Sequence, residues 1–327
     1  MAFLAVFALV ILVIGGALWL IARQQEANQI TVTADNKVNV GSGYRNITYK
    51  GRKYQYNNRI TTILYAGLDS EAPLVQNAKY TMAPRADSIS LIVLDDLHKK
   101  ATVIALSRDT MTEIRRYSLS GKKNGLYVDH LGYAYTYGDG GKASCDGLCE
   151  AVSLLLYGIP VNDYVVSNVK SMQAISSFIG PVEVTVPNND LAEKNELYTE
   201  GAIVSIDSSN VEMFVRSRDT ARYFSNEGRM LRQKAYITGA MARMKNLLND
   251  KPEEFWRILQ ETGDYVQTNI TRNRYLDLIK LLHNIDIANP DYIIPEGEQV
   301  AGKYHDEFHP DEAKLLDIVV ELFYNAQ

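Results

Sequence analysis

The chain has 327 residues, of which 46% are hydrophobic; that suffices to bury one large α/β core or two ordinary ones. With a formal charge of -5 and no run of basic residues, it lacks the electrostatic footprint of a nucleic-acid binder, and no nucleic-acid partner is expected. Its two cysteines, Cys145 and Cys149, are too few to build a zinc site and read either as two half-buried thiols or as one disulfide.

Residues 2–22 are an uninterrupted apolar run, AFLAVFALVILVIGGALWLIA. At roughly 20 residues it has the length of a membrane-crossing helix, whereas a signal peptide carries a shorter apolar region behind a basic segment. Residues 1–23 are therefore expected to be a retained transmembrane anchor. No Lys or Arg precedes the run and Arg23 follows it, so the flanking charges do not orient the chain. Residues 24–58 are polar, with scattered Gly, Asn, Lys and Tyr, and read as a juxtamembrane connector with a short hairpin around Gly51.

The folded body is expected over residues 59–327. Residues 60–68 (ITTILYAGL) form a near-continuous apolar run rich in β-branched side chains, as in a strand buried on both faces. Residues 88–94 (SISLIVL) and 102–107 (TVIALS) are two more strands. The polar link between them is too short for a crossover helix, so they are expected to be antiparallel neighbours. Helices at 144–157, 170–179, 208–215, 229–248, 253–261, 274–284 and 312–324 alternate with short strands at 164–168 and 182–186. That alternation indicates a mixed sheet covered by helices.

A hairpin turn near Leu97 and His98 places Asp87 opposite Arg108, with Asp109 beside them. Directly opposed side chains lie roughly 5 Å apart and diagonal ones roughly 7–8 Å, so Arg85, Asp87, Arg108 and Asp109 converge at one sheet edge. Two carboxylates that close require arginines, a proton or a metal between them. A Mg²⁺ held by both plus substrate phosphates fits, and so does a pair of salt bridges at strand ends.

Five arginines (Arg216, Arg218, Arg222, Arg229 and Arg232) occur before the next lysine, Lys234. Guanidinium forks match phosphate oxygens in a way that ammonium groups do not. At about 100° per residue, Arg229, Arg232, Gln233 and Tyr236 share one face of their helix. Met230, Ile237, Met241, Met244 and Leu248 form the adjoining core stripe. A polar face beside a core seam suits the border of a cleft.

Two further signals are weak. His305-Asp306-Glu307-Phe308-His309 does not match the zinc-protease helix pattern, and Pro310 places a helix start after it. The glycines of Gly138-Asp139-Gly140-Gly141 precede a helix whose first N–H groups could meet an anion, but turns use glycine in any case.

In order along the chain, these segments resemble the LytR-CpsA-Psr family from about residue 61 to residue 324. The family's Arg-x-Asp-(Ser/Thr) is matched by Arg85-Ala86-Asp87-Ser88, and its Ser-x-Pro-Arg-Asp-Thr by Ser107-Arg108-Asp109-Thr110 without the proline. Its Leu-Gly-Ile-Pro segment corresponds to Tyr157-Gly158-Ile159-Pro160, and its Gly-Gly-Val-x-Val-x-Val-Pro strand to the segment from Gly180 to Pro187. Val215-Arg216-Ser217-Arg218 and Gly228-Arg229-Met230-Leu231-Arg232-Gln233 stand intact. The chain departs from the pattern at His130-Leu131-Gly132, where the family reads Lys-Ile-Asn. Lys122 and Lys123 are the candidates to supply the basic contact missing there.

The resemblance implies an α/β/α sandwich with a central mixed sheet, preceded by one transmembrane helix. It implies an apolar pocket for a polyprenyl tail, and Mg²⁺ (or Mn²⁺) bridging Asp87 and Asp109 to a pyrophosphate. Asp87, Arg108, Asp109, Arg216 and Arg218 are the implied catalytic residues, and Arg85, Arg229, Arg232 and Gln233 the implied substrate-binding ones. The expected activity moves a phosphorylated glycopolymer from a polyprenyl-pyrophosphate carrier to a peptidoglycan hydroxyl. The body is expected to be extracytoplasmic on a single-pass anchor in the cell membrane. A polyprenyl-pyrophosphate hydrolase and a non-catalytic lipid-phosphate sensor or transcription attenuator are the rival readings.

Overall fold

A computed structural model describes residues 31–32, 38–39, 45–76, 79–219 and 222–327. The expected anchor at 1–23 lies outside the described residues, among which no helix is long and apolar enough to cross a membrane. Two compact units divide the chain. One takes in the described residues up to Asn58 together with Leu156–Ile159 and Glu312–Gln327; the other comprises Arg59–Leu155 and Pro160–Asp311.

In the smaller unit, Asn46–Tyr49 and Arg52–Tyr56 form the hairpin expected around Gly51. Its turn residues Lys50 and Gly51 both have positive φ, 46° and 75°, as a two-residue turn with the twist of the strands demands. The strand Tyr324–Ala326 extends this sheet. The helix Glu312–Phe323 buries Leu315, Leu316, Val319, Val320 and Phe323, and Tyr49 donates its hydroxyl to Asp317 at 2.8 Å.

The elements of the larger unit are numbered in chain order: β1 (Ile60–Leu68), β2 (Ala86–Asp95), β3 (Lys100–Leu106), β4 (Met111–Tyr117), β5 (Lys123–His130), α1 (Lys142–Leu155), β6 (Asp163–Asn168), α2 (Val169–Ile179), β7 (Val182–Thr185), β8 (Ile203–Ile206), α3 (Val211–Arg216), α4 (Asn226–Asp250), α5 (Pro252–Glu261), β9 (Val266–Thr268), α6 (Arg272–His283), β10 (Asp286–Ile293), β11 (Gly297–Ala301) and β12 (Asp306–Pro310). Six of the strands form the central sheet in the order β9-β6-β1-β2-β3-β10. Strand β1 is parallel to β6 and antiparallel to β2, and β10 is parallel to β3. The sheet is therefore mixed, as expected.

The β2–β3 hairpin has the register that the short link dictates, from Ile89 opposite Leu106 to Asp95 opposite Lys100. Its turn is closed by the Asp95 carboxylate, which accepts from Leu97 N and His98 N at 2.8 and 3.1 Å, a side-chain mimic of a backbone turn. Among the pairings absent from the sequence reading are the hairpin β4–β5, the pair β7–β8, the edge strands β9 and β10 and the hairpin β11–β12. Strand β10 contains Pro290 next to a register irregularity between Asp286 and Asp291, where an edge strand tolerates a proline. His309 sits in strand β12, and the following helix starts at Glu312.

Candidate active site

The open end of the β2–β3 hairpin carries Asp87 on one strand and Arg108 and Asp109 just past the other. Arg108 donates from Nη1 to Asp87 Oδ1, and its Nε lies 3.3 Å from Asp109 Oδ1. One guanidinium thus stands between the two carboxylates. Arg85 Nε is 3.8 Å from Asp87 Oδ1.

Helix α4 begins against this edge. Arg229 donates from Nη1 to Asp87 Oδ2 at 3.1 Å and from Nη2 to the Asp87 carbonyl at 3.0 Å. Asn226, in the first turn of α4, donates from Nδ2 to Ser107 Oγ and Asp109 Oδ2, both at 3.0 Å, and accepts from Arg229 Nη2 at 2.7 Å. It fixes the distance between helix and hairpin, and the sequence reading missed it. Its only signal is its place two residues before Gly228-Arg229. Arg218 reaches the cluster from the segment after α3, where Nη1 donates to Ser225 Oγ at 3.3 Å.

Charge is unbalanced here. Arg85, Arg108, Arg218 and Arg229 bring four positive charges against the two negative charges of Asp87 and Asp109, a surplus of two. Burial by itself raises the Asp87 carboxyl, but Arg108 and Arg229 outweigh it and hold the group below the ordinary carboxylate range. Burial, reinforced by Arg108 and Arg218, pushes the Arg229 guanidinium down to about 10. Arg218 is lowered too, by burial and then by Arg108. The Nε–H of Arg229 is buried without a hydrogen-bond acceptor, and that of Arg108 has only its ion-pair contact with Asp109. A buried donor without a partner beside surplus positive charge suits an anion with several oxygens.

An apolar cavity of about 780 Å³ opens beside this cluster, and Asp87, Arg216 and Arg229 are among its lining. The sheet contributes Ile63, Tyr65, Ser90 and Ile92, and α4 contributes Gln233, Tyr236, Ile237, Met241, Met244 and Leu248. The helical face expected to border a cleft does so. At 1.5 Å per residue, the wall from Arg229 to Leu248 runs for about 28 Å, polar at one end and apolar along the rest. Such a space fits an amphiphile with an anionic head.

The remaining sequence candidates lie apart from the cluster. Arg216 is paired with Asp69 and Glu212 on the rim of the cavity, so its charge is already matched. Arg232 requires a correction: it is fully buried and has no surface to offer a substrate. Its Nε donates to Phe214 O at 2.9 Å, Nη1 to Asn188 Oδ1 and Asp190 Oδ2 at 3.1 and 2.8 Å, and Nη2 to Ser217 O. It therefore anchors the segment that presents Arg218. A Cβ at Gly228 would come within 2.0 Å of Asp190 Oδ2, so only glycine lets Asp190 close on Arg232. Gln233 donates to Val215 O at 3.1 Å and accepts from Ser88 Oγ at 3.4 Å, bridging β2 to the end of α3 inside the cavity.

Lys122 and Lys123 do not replace the missing lysine. In β4–β5, Lys123 pairs with Tyr117 at one end, and His130 pairs with Met111 at the end beside the cluster. The start of α1 is capped by its own Asp139, whose Oδ1 accepts from Gly141 N and Ser144 N at 2.8 and 3.3 Å; no anion is needed there. Cys145 and Cys149 are free, and burial pushes both thiols up to about 12, which makes them inert. Among the described residues no group of three or more His, Cys, Asp or Glu gathers as a metal site.

The sequence profile of the LytR_cpsA_psr family matches residues 19–315. A polyisoprenyl-teichoic acid--peptidoglycan teichoic acid transferase, TagU of Bacillus cereus (strain AH820), is 25% identical over 234 residues, 70% of this chain and 70% of that protein. Among solved structures, B. subtilis TagV aligns over 80% of this chain and 96% of its own at 21% identity, with a TM-score of 0.57. TagT bound to LIIa-WTA aligns over 81% of this chain and 90% of its own at 19% identity, with a TM-score of 0.60. The structural likenesses carry the fold, α/β with a central mixed sheet, and the profile covers most of the chain. This chain belongs to the LytR-CpsA-Psr family and is a transferase of that family.

Proposed function

We propose that the protein transfers a phosphorylated glycopolymer from a polyprenyl-pyrophosphate carrier to a sugar hydroxyl of peptidoglycan. The observation that carries this reading is the surplus of two positive charges at the mouth of an apolar cavity. A diphosphate diester carries two ionised oxygens, which match that surplus in the metal-free protein, and its polyprenyl tail suits the cavity. The name of TagU supports the choice of polymer and acceptor, and the LIIa-WTA bound to TagT supports the polymer.

In the reaction, the acceptor oxygen bonds to the phosphorus that bears the glycan, the bond to the bridging oxygen breaks, and polyprenyl phosphate leaves. Arg85, Arg108, Arg218 and Arg229 neutralise the phosphate oxygens and hold the diphosphate in line; positioning and charge do most of the work in such transfers. The hydroxyl proton passes to one of the two carboxylates, Asp87 or Asp109. Asp87 and Asp109, on either side of the Arg108 guanidinium, are the two carboxylates that would hold Mg²⁺ or Mn²⁺, and a small divalent cation takes one or two carboxylates plus substrate phosphates. When bound, it would be held by Asp87 and Asp109 and would add charge stabilisation at the phosphates. Residues 1–23 would fix the body to the outer side of the cell membrane, where the acceptor lies.

The test uses the full chain in detergent with lipid-linked polymer and an acceptor glycan, with and without Mg²⁺ and chelator. Polymer joined to the glycan is the expected product. Free polymer phosphate alone would mean a hydrolase, and no turnover together with tight lipid binding would mean a sensor.

A further inference from the structure

We propose that the ring pair of Tyr133 and His305, braced by His130 and Asp306, is the subsite for the pyranose rings of the acceptor; this rests on the transferase reading above. The cluster lies outside the cavity, next to Arg85. Asp87 and Arg229 line the cavity, whereas Arg85, Arg108, Asp109, His130, Tyr133 and His305 do not. Arg85 links the two regions, its guanidinium carbon 5.6 Å from the centre of the Tyr133 ring. In-line displacement brings the nucleophile in opposite the leaving group. With the polyprenyl phosphate leaving toward the cavity, the incoming hydroxyl approaches from the Tyr133 side.

The cluster is built into the same strand ends as the aspartates. Gly132 N donates to Arg108 O at 2.9 Å and Leu131 N to Thr110 O at 2.8 Å. A Cβ at Gly132 would come within 2.8 Å of the Ala86 carbonyl, so the glycine that departs from the family's Asn is what lets this loop lie on the sheet edge. From the other side, Phe308 N donates to Asp109 O at 2.8 Å, which seats the β11–β12 hairpin on the second aspartate. The rings of Tyr133 and His305 then lie 6.3 Å apart, with His130 at 5.8 Å from Tyr133 and 6.0 Å from His305.

Two residues brace the arrangement. His130 donates from Nε2 to Asp306 O at 3.0 Å, and its Nδ1 is 3.2 Å from Asp129 Oδ1. The Asp306 carboxylate accepts from Phe224 N at 2.8 Å, which holds Phe224 in the left-handed region at φ 60°. Both nitrogens of His130 are thus engaged within the protein, and it does not supply the lost lysine contact directly. His305 is exposed, as are Phe224 and the flanking Tyr223 and Tyr304. Ring faces carry negative charge and attract the polarised C–H bonds of a sugar. Carboxylates and imidazoles around them suit hydroxyl groups better than they suit lipid tails, which favours a glycan over a membrane surface as the occupant.

The experiment uses the full chain in detergent with the double variant Tyr133→Ala/His305→Ala and the ring-preserving Tyr133→Phe. Binding of a soluble peptidoglycan glycan fragment is followed by saturation-transfer NMR without any lipid donor, and acceptor KM and kcat are measured with donor present. The double variant should raise acceptor KM about tenfold or more, move kcat less, and lose the glycan signal, while Tyr133→Phe retains both. Unchanged KM and glycan signal in the double variant overturn the proposal. So does an equal fall in donor hydrolysis when acceptor is omitted, which would assign the rings to the donor. Reduced binding to anionic phospholipid vesicles with acceptor KM unchanged would make the patch a membrane contact and overturns it too. If the wild type transfers nothing, the transferase reading fails by itself; saturable glycan binding lost in the double variant would still sustain a glycan site here, and no binding by the wild type would end it.

Discussion

Two arginines nearly one helical turn apart on α4 are both buried, yet they belong to different physical situations. Arg232 has carbonyls, an amide and the Asp190 carboxylate on its donors, and its charge is balanced. Arg229 shares Asp87 with Arg108, stands near Arg218, and leaves its Nε–H without an acceptor. The first arrangement is complete in the protein alone, and the second leaves a donor and positive charge unmatched within it. Burial of an arginine therefore says little about its role, and the balance of charge and donors around it says a great deal.

The sharpest break of this comparison is in rate. Arg218→Ala or Arg229→Ala should lower transfer about 10³-fold, measured as polymer joined to glycan at saturating donor; a loss under tenfold would remove the pair from the machinery. In stability the order reverses. Arg232→Met takes the donor from the Phe214 and Ser217 carbonyls and should cost about 1–3 kcal/mol in denaturant unfolding. Inorganic pyrophosphate at about a hundred times its Kd should stabilise the wild type by about 2.7 kcal/mol. It should do so equally in a folded Arg216→Gln protein, whose lost charge was already matched, but far less in Arg218→Ala.

Acid provides a finer test. The Asp87 pKa is lowered in the fold, so its stabilising contribution is present above the unfolded value near pH 4 and is lost as pH falls through the folded value. Asp87→Asn should flatten the acid limb of the stability curve, and an unchanged limb would count against the Arg108–Asp87–Arg229 clamp. The smallest effect has the opposite sign. Arg218 is disfavoured as a cation by burial and by Arg108, so Arg218→Gln should raise the unfolding midpoint of the ligand-free protein slightly, by a free energy of about 0.5 kcal/mol, while removing activity.

Much of this site was legible in the sequence because it rests on local rules. A link too short for a helix forces the β2–β3 hairpin, and its register then brings Asp87 to Arg108. The period of a helix places Gln233 and Tyr236 with Arg229 beside the apolar stripe, where the cavity lies. What the sequence concealed depends on long-range closure. Arg232 and Arg229 share a motif and a face, and only the approach of Asp190 to Gly228 separates them. Asn226 has no pattern that distinguishes it from an ordinary helix start. Strand β10 carries a proline, and the β11–β12 hairpin is polar and half-buried, so neither shows the alternation that reveals a strand. The role of the segment from His130 to Tyr133 emerges only once the loop lies on the sheet edge.

Helix α4 holds the charged cluster and the greasy wall on one continuous rod, with both Arg229 and Leu248 lining the cavity. Under the proposed transfer, a tail lying along the later turns would press on the same lever that carries a guanidinium to the phosphorus. For such a carrier, a shortened lipid should turn over more slowly even at saturation, because attraction gathered far from the reacting bond is what holds that bond in line.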